Sequence, residues 1–206
     1  MNDVAKSRLK VGLDVPWVTS WSGEAVLGVG PCASVGGRLA VRQAERPGFG
    51  RPNYSRNHLR RQRLTVARML CPMCGEPTPE DDRWLQTARR TTAGILRARS
   101  FAAALPPALG DDRVVVDAGA IAPCHLACAG RAAAHCPHLQ AHTSGELIAF
   151  PYAWIVLPLM VRAGPTHVLD STARPASAVS FLQLCGITTE TDRAWRSRAP
   201  LTSADS

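Results

Sequence analysis

Two short clusters of cysteine constrain this chain more than any other feature of its sequence. The first is the CPMCG sequence at 71–75, and the second is the segment 123–139. Together they contain five of the seven cysteines. Thiolate and imidazole are ligands that tetrahedral zinc prefers, and close pairs of cysteines at distant points of a chain are typical of zinc sites. The sequence therefore predicts a structural metal site, with zinc as the metal.

Four cysteines are the predicted ligands. Cys71 and Cys74 are separated by two residues, and the glycine after them favours a tight turn that directs backbone amides at the sulfurs. Cys124 and Cys128 are one helical turn apart, so both can face the same side at the start of an alanine-rich helix that Pro123 introduces. Since a helix N-terminus favours thiolate, this position suits metal ligands.

Cys136 and His138 are alternative ligands, for the same ion or for a second one. They flank Pro137, where the predicted helix must end. The simpler interpretation makes Cys136 a buried apolar residue and His138 a cation at the helix end. His125, next to Cys124, is expected to lie at the surface or to support a ligand rather than to be one.

The arrangement of residues 71–139 resembles a treble-clef zinc finger, in which a CPxCG knuckle precedes a β-hairpin and a helix that supplies the last two ligands. The sequence departs from that pattern in two places. Three residues rather than two separate Cys124 from Cys128, and the gap between Cys74 and Cys124 exceeds the ~15–20 residues of compact zinc ribbons. An inserted segment or a large hairpin is therefore expected between the clusters.

The order CxxCG, then CxxxC, then CPHL at the end of an alanine-rich helix is also similar to small proteins of actinobacteria and their phages. That resemblance implies a metal-binding module, and it implies no catalytic residues.

The length of 206 residues is that of one domain, alone or with tails. No apolar segment of a secretory signal follows Lys10. The most apolar stretch, 147–161, contains Pro151 and Pro158 and is too short to span a bilayer, so buried strands are expected there. A cytoplasmic location would keep the thiols reduced, which favours metal binding over disulfides.

The predicted fold class is α+β, a small mixed domain organised around the zinc site. Four regions are expected: strands and loops at 1–52, a basic helix with the zinc module at 53–145, apolar strands and helices at 146–199, and a tail at 200–206. Strands are predicted at 38–43 and 113–117, where β-branched or alternating residues occur. Helices are predicted at 87–104, 175–185 and 190–198.

Arginine dominates one segment. The net charge is +8, and residues 38–68 contain nine arginines and a single acid, Glu45. A helix that Asn53 or Ser55 could cap is predicted to run to about Met69. The candidate nucleic-acid contacts on it are Arg56, Arg60, Arg61, Arg63 and Arg68.

The alternative interpretation makes this helix a solvated face, or pairs it with the acidic cluster at 76–82. Tyr54 is the one aromatic residue near these arginines, so base stacking has little support from the sequence.

Three functions remain open at this stage. The first is a zinc-stabilised binding or adaptor protein whose partner is DNA or RNA. The second is a component of a phage or mobile element that binds another protein and uses zinc only structurally. The third is an enzyme, either deaminase-like, with Glu76 as proton shuttle, or a nuclease of the HNH kind. For the nuclease, His58 beside Asn57 and the histidines at 135, 138 and 142 are candidates for the base, and no ordered motif links them.

Catalysis is the least favoured of the three. Pro77 and Pro79 prevent the helix that a deaminase needs around Glu76. A site with four cysteine ligands also leaves no open position for water.

Overall fold

The computed structural model describes residues 5–101, 105–135, 147–163 and 176–187, and its fold is α+β. Two ten-residue helices and several short strands dominate it. The strands are β1 (Thr19–Trp21), β2 (Val26–Pro31), β3 (Leu39–Gln43), β4 (Pro52–Asn57), β5 (Trp84–Leu85), β6 (Arg89–Thr92), β7 (Val114–Gly119), β8 (Ile148–Ala149), β9 (Trp154–Ala163) and β10 (Ala176–Gly186). The helices are α1 (Leu59–Arg68), the single turn α2 (Ala93–Leu96) and α3 (Leu126–His135), with a 3₁₀ turn at Ala33–Val35 and a π-helical turn at Arg97–Phe101.

Strand β10 is the centre of a six-stranded sheet. It pairs antiparallel with β9 along one edge. Its other edge pairs in parallel with β3 near Val179 and antiparallel with β7 near Cys185. Strands β2 and β6 continue the sheet beyond β3 and β7. The predicted regions at 1–52, 53–145 and 146–199 thus contribute strands to one sheet.

The helix predicted at 175–185 is wrong, because these residues form β10. Val179, Leu182 and Leu184 are buried, and so are Ser180 and Gln183 between them. A strand that is covered on both faces shows no alternation of apolar and polar residues, so its sequence resembles that of a buried helix.

The other element predictions have mixed outcomes. The strands at 38–43 and 113–117 are confirmed as β3 and β7. The helix at 87–104 is wrong over its first part, which forms β6, and a single turn of α-helix follows. The helix predicted at 190–198 lies outside the described residues.

The apolar stretch 147–161 contributes to β8 and β9, as predicted for strands. Within the ranges that the structure describes, no helix combines the length and apolar character needed to cross a membrane.

Helix α1 packs on the sheet and positions the chain for the first cysteine cluster. Val66 and Met69 belong to the same buried apolar cluster as Val116 and Leu184. The buried Gln62 side chain bonds to both backbone groups of Leu182 in β10, accepting from the amide at 3.0 Å and donating to the carbonyl at 2.6 Å. These bonds fix α1 against the central strand.

The predicted start of this helix is wrong. Residues 52–57 form β4, and His58 is the N-cap, accepting the Arg61 amide on Nδ1 at 3.3 Å. Asn53 and Ser55 therefore cap nothing. Thr19 pairs with Asn57 while Ser20 pairs with Asn53, so residues 54–56 have no partner residue on β1. We call these three residues the β4 bulge.

Candidate metal centre

The first cysteine cluster follows directly from the end of α1. Met69 closes the helix in the left-handed conformation, with φ of 50°. The Cys71 amide then donates to the Glu76 carbonyl at 2.7 Å, and the Gly75 amide donates to the Cys71 carbonyl at 2.8 Å. The tight turn expected of CPMCG therefore forms at 71–75, and we call it the knuckle.

The N-terminal segment lies along the knuckle. The Trp17 amide donates to the Met73 carbonyl at 2.9 Å, and the Val18 amide donates to the Pro72 carbonyl at 3.0 Å. The indole ring of Trp17 covers Gly75, where an added Cβ would approach the ring to 2.9 Å. Gly75 also has φ of +85°, so both its backbone conformation and its packing require glycine.

The second cluster is positioned by the chain that follows the knuckle. Cys124 and Trp84 exchange two backbone hydrogen bonds, each of 2.9 Å. The Asp82 carboxylate accepts the Leu126 amide at the start of α3 at 2.7 Å. An acidic acceptor suits the orphan amides and positive end of a helix N-terminus. Residues 82–84 thus hold the beginning of α3 against the knuckle.

Four ligand atoms meet where the knuckle and α3 come together. The sulfurs of Cys71, Cys74 and Cys128 and a ring nitrogen of His125 all lie within 4.8 Å of one another. Three of the four predicted ligand residues are therefore in this group. Cys124 is not a member, but its thiol lies beside the Cys71 sulfur and, acting as a hydrogen-bond donor to it, lowers the pKa of Cys71.

His125 is the residue that the sequence argument missed. It was expected at the surface or in support of a ligand, yet it completes the group. The spacing contains a signal for it, because His125 and Cys128 are separated by two residues, as Cys71 and Cys74 are. The three-residue spacing between Cys124 and Cys128 departed from the treble-clef pattern, whereas the two-residue spacing between His125 and Cys128 matches it.

The imidazole ring of His125 is oriented as a metal ligand requires. Its Nε2 atom lies 3.0 Å from the Pro77 carbonyl oxygen, which can only accept, so Nε2 has the proton. Nδ1 then has the lone pair, and it lies 3.5 Å from the Cys74 sulfur, toward the thiol cluster. Metal-bound histidines typically donate their second ring N–H to a carbonyl or carboxylate in this way.

The charges within the cluster are unbalanced without a cation. The hydrogen bond from Cys124, with help from the backbone amides of Cys74, His125 and Met73, lowers the pKa of Cys71 to about 4. The same bond raises the pKa of Cys124. Burial, with the nearby Cys71 sulfur, raises the pKa of Cys74 to about 12. The Cys71 thiolate is thus favoured, and its negative charge disfavours ionisation of the neighbouring thiols. A bound dication would offset that repulsion and allow the other thiols to ionise.

Arg131 contributes a positive charge on the helix side of the cluster. Its guanidinium donates to the Cys128 sulfur at 3.3 Å, and this bond raises the pKa of Arg131. The alternative ligands Cys136 and His138 lie outside the described residues, immediately after the end of α3 at His135.

Two of the predicted nucleic-acid contacts are wrong, because they are buried inside the protein. Arg61 is 2% exposed and binds both carboxylate oxygens of Glu24, at 2.7 and 2.9 Å, and the Thr19 carbonyl at 2.8 Å. Arg63 is fully buried and donates to Ser34 Oγ at 3.0 Å. It also donates to the carbonyls of Ser180 and Val41 at 2.8 and 3.0 Å.

The remaining three arginines are exposed, in different settings. Arg56 lies in the β4 bulge rather than on the helix, Arg60 forms an ion pair with Glu45, and Arg68 ends α1. The alternative pairing with the acidic cluster at 76–82 is also wrong for Arg60 and Arg61, whose partners are Glu45 and Glu24.

The residues considered for catalysis occupy other roles. Glu76 is exposed on the turn of the knuckle and not on a helix. His58 is fully buried, and its two ring nitrogens contact the Arg61 amide and, at 3.0 Å, the Ala44 carbonyl. Neither a helical glutamate beside the metal nor an accessible histidine base is therefore formed by these two residues.

Comparisons with protein-family models, with curated proteins and with solved structures gave no match for this chain. The resemblance to actinobacterial and phage proteins stays a prediction. The geometry of the site is therefore the basis for assigning a function.

Proposed function

We propose that Cys71, Cys74, His125 and Cys128 bind one zinc ion, and that the chain is a zinc-stabilised binding or adaptor protein. The observation that supports this most is the mutual approach of the four ligand atoms to within 4.8 Å. Three thiolates and one imidazole are a common ligand set of structural zinc, and soft sulfur ligands favour zinc over magnesium or calcium. Four protein ligands also close the coordination shell against water, which favours a structural role.

The position of this site indicates what zinc would do for the fold. It would connect the end of α1 to the start of α3, two elements that are otherwise joined through 50 residues of chain between Cys74 and His125. The order of elements supports a treble-clef-like arrangement, since the knuckle is followed by the antiparallel pair β6 and β7 and then by α3. Residues 93–113, between those strands, would account for the unusually long spacing.

We assign Cys124 the role of orienting the ligand Cys71, because its thiol acts as a hydrogen-bond donor to the Cys71 sulfur. A ligand thiolate that accepts such a bond is oriented by it, as metal ligands generally are by their neighbours. We further propose a cytoplasmic location, where thiols stay reduced and available to a metal.

The test is the metal content of the purified protein, measured by mass spectrometry together with zinc affinity. We expect one zinc per wild-type chain, and a large loss of affinity in C71S and H125A, each of which removes a ligand. C124S should keep full stoichiometry, because it removes no ligand and keeps a hydrogen-bond donor. C185S, which changes a buried cysteine of another apolar cluster, is the matched control.

Cobalt substitution tests the ligand set independently, because the intensity of its sulfur-to-metal absorption band reports the number of thiolates. The spectrum should indicate three thiolates in the wild type and in C124S. A metal-free wild-type protein would overturn the proposal. Loss of metal from C124S but not from H125A would instead establish the four-cysteine set.

A further inference from the structure

We propose that the β4 bulge binds single-stranded nucleic acid, with a base stacked on Tyr54 and phosphates bound by Arg51 and Arg56. The inference rests on the binding role proposed above and names its partner and its surface. It does not depend on the metal, because none of these residues belongs to the metal centre.

The bulge presents its side chains to solvent. Residues 54–56 lack partner residues on β1, and all three are exposed. Tyr54 is 65% exposed, although tyrosine usually buries most of its ring. Bulges frequently redirect side chains at functional sites. The exposed ring is therefore available for stacking, and every base offers a flat face to it.

Two arginines that have no partner in the described part of the chain lie close to Tyr54 in sequence. Within the described residues, the guanidinium groups of Arg51 and Arg56 have no hydrogen bond or ion pair. The nearby acids are already engaged, since Glu24 binds Arg61 and Glu45 binds Arg60. Phosphate is thus the charge that complements this surface.

More positive charge lies at the start of β4. Lys6 pairs through its backbone with Phe49, and the Arg46 guanidinium lies 4.8 Å from the centre of the Phe49 ring. Both cationic side chains are exposed. They add to the exposed positive charge near the start of β4, and such charge favours a phosphate backbone as the ligand.

The combination favours a single strand over a duplex. Stacking on Tyr54 requires a base that is not already stacked within a helix, and stacking combined with backbone cations is the usual means of binding single strands. A duplex would use the arginines alone, so its binding would not depend on the tyrosine ring.

The experiment is fluorescence anisotropy at low salt, with the zinc-loaded full-length protein and labelled oligothymidylate and oligouridylate of about 12 nucleotides. We expect Y54A to weaken the affinity by about 5- to 100-fold. Y54F should bind with nearly the wild-type affinity, because it retains the ring. R51Q/R56Q should weaken binding and lower the slope of log affinity against log salt by about 1.4, since each phosphate contact to a single strand contributes about 0.7.

The matched control is R38Q/R68Q, which removes the same charge from two exposed arginines away from the bulge. Arg68 lies at the far end of α1, about 15 Å along the helix axis from its start. Arg38 precedes β3. Binding by this variant should be reduced less than by R51Q/R56Q. The metal content and circular dichroism of every variant establish that its fold is retained.

Three outcomes would overturn the proposal. They are wild-type affinity in folded Y54A, equal loss in the control and in R51Q/R56Q, and duplex binding as tight as that of the single strands. A wild-type protein that binds no oligonucleotide would overturn it as well and would favour a protein partner. In each case a normal zinc content would leave the metal site intact, so failure of this inference is distinguishable from failure of the zinc proposal.

Discussion

The two ends of α1 adjoin two polar clusters, one buried and one partly buried, that solve the same physical problem differently. Near its start, Glu24 and Arg61 form a buried ion pair beside the buried ring of His58. After its end, the thiols of the knuckle meet His125 and Cys128. The first cluster contains a guanidinium that matches its carboxylate, whereas the second brings together three sulfurs and an imidazole, with the Arg131 guanidinium on one of the sulfurs.

The first cluster shows how a protein satisfies a buried carboxylate unaided. Besides binding Arg61 twice, the Glu24 carboxylate accepts the Trp21 amide at 2.8 Å and the Arg46 amide at 3.1 Å. Each oxygen thus has two donors. Burying charge is tolerated when the charges are paired and fully hydrogen-bonded. The comparison teaches that burial of polar groups indicates a ligand only where the charges do not balance.

Removal of the metal should have the largest effect on stability. It should affect the second cluster more than the first. A strong chelator should destabilise the protein by several kcal/mol, since structural zinc in small domains contributes apparent free energies of about 10–16 kcal/mol. Hydrogen exchange should show lost protection at 71–78 and 126–129, with smaller losses at 61–66. Unchanged urea denaturation after verified zinc removal would contradict a structural role.

Breaking the first cluster should have the next largest effect. E24Q leaves the Arg61 charge buried without its partner, which typically lowers the free energy of unfolding by about 3–5 kcal/mol. The matched control is E45Q, whose ion pair with Arg60 joins side chains that are 40% and 44% exposed. That change should cost less than about 1 kcal/mol. Urea denaturation measures both, and equal effects would show that burial of the Glu24 pair is energetically unimportant.

Substitution of Cys124 should have a smaller effect that is confined to the metal. C124A removes the hydrogen bond to Cys71, and loss of such a supporting bond typically lowers metal affinity by about 10–100-fold. C124S retains a donor and should lose less. Competition with a chromogenic zinc chelator measures these affinities. If C124A bound zinc as tightly as the wild type, the bond would have no part in metal binding.

The smallest expected effect concerns pH and the first cluster. Burial, together with the charge of Arg61, lowers the pKa of His58 below its usual 6.5, against the opposing charges of Glu24 and Glu45. Because the folded state disfavours the proton, this contribution to stability is complete above pH 6.5 and is lost as the pH falls from there toward the lowered pKa. Protonation of Nδ1 would also abolish the cap on α1.

The H58N variant tests this assignment, since asparagine is a good N-cap and does not titrate. With zinc in excess, urea midpoints at about pH 8 and about pH 5.5 should differ less for H58N than for the wild type. Both proteins share the acid sensitivity of the metal ligands, so it cancels when the pH-dependent shift of H58N is subtracted from that of the wild type. An identical pH dependence in the two proteins would assign the effect to other groups.

The metal centre was more predictable from the sequence than the sheet was. Cys71 and Cys74 lie in a five-residue motif whose chemistry depends on local spacing, and the knuckle formed at that position. His125 was missed because all four ligand positions were assigned to cysteines, although the two-residue spacing between His125 and Cys128 indicated that His125 is a ligand. By contrast, the role of β10 depends on neighbours on both its edges, which no local pattern encodes.

The buried arginines illustrate the same limit. Arg61 and Arg63 resemble the exposed Arg60 in sequence, and all three lie within a single turn of α1. What separates them is the location of their partners, since Glu24 lies 37 residues before Arg61 and Ser180 lies 117 residues after Arg63. Such partners become visible only when the fold is known.

The indole of Trp17 over Gly75 has a consequence for metal exchange. The N-terminal segment is bonded along the knuckle through residues 17 and 18, and it covers the turn that holds two of the sulfurs. A competing chelator that approaches from this side must displace the cover before it reaches them. The rate at which zinc leaves should therefore follow the local opening of the N-terminal segment rather than the strength of the metal–sulfur bonds, and shortening the chain before residue 19 should accelerate exchange.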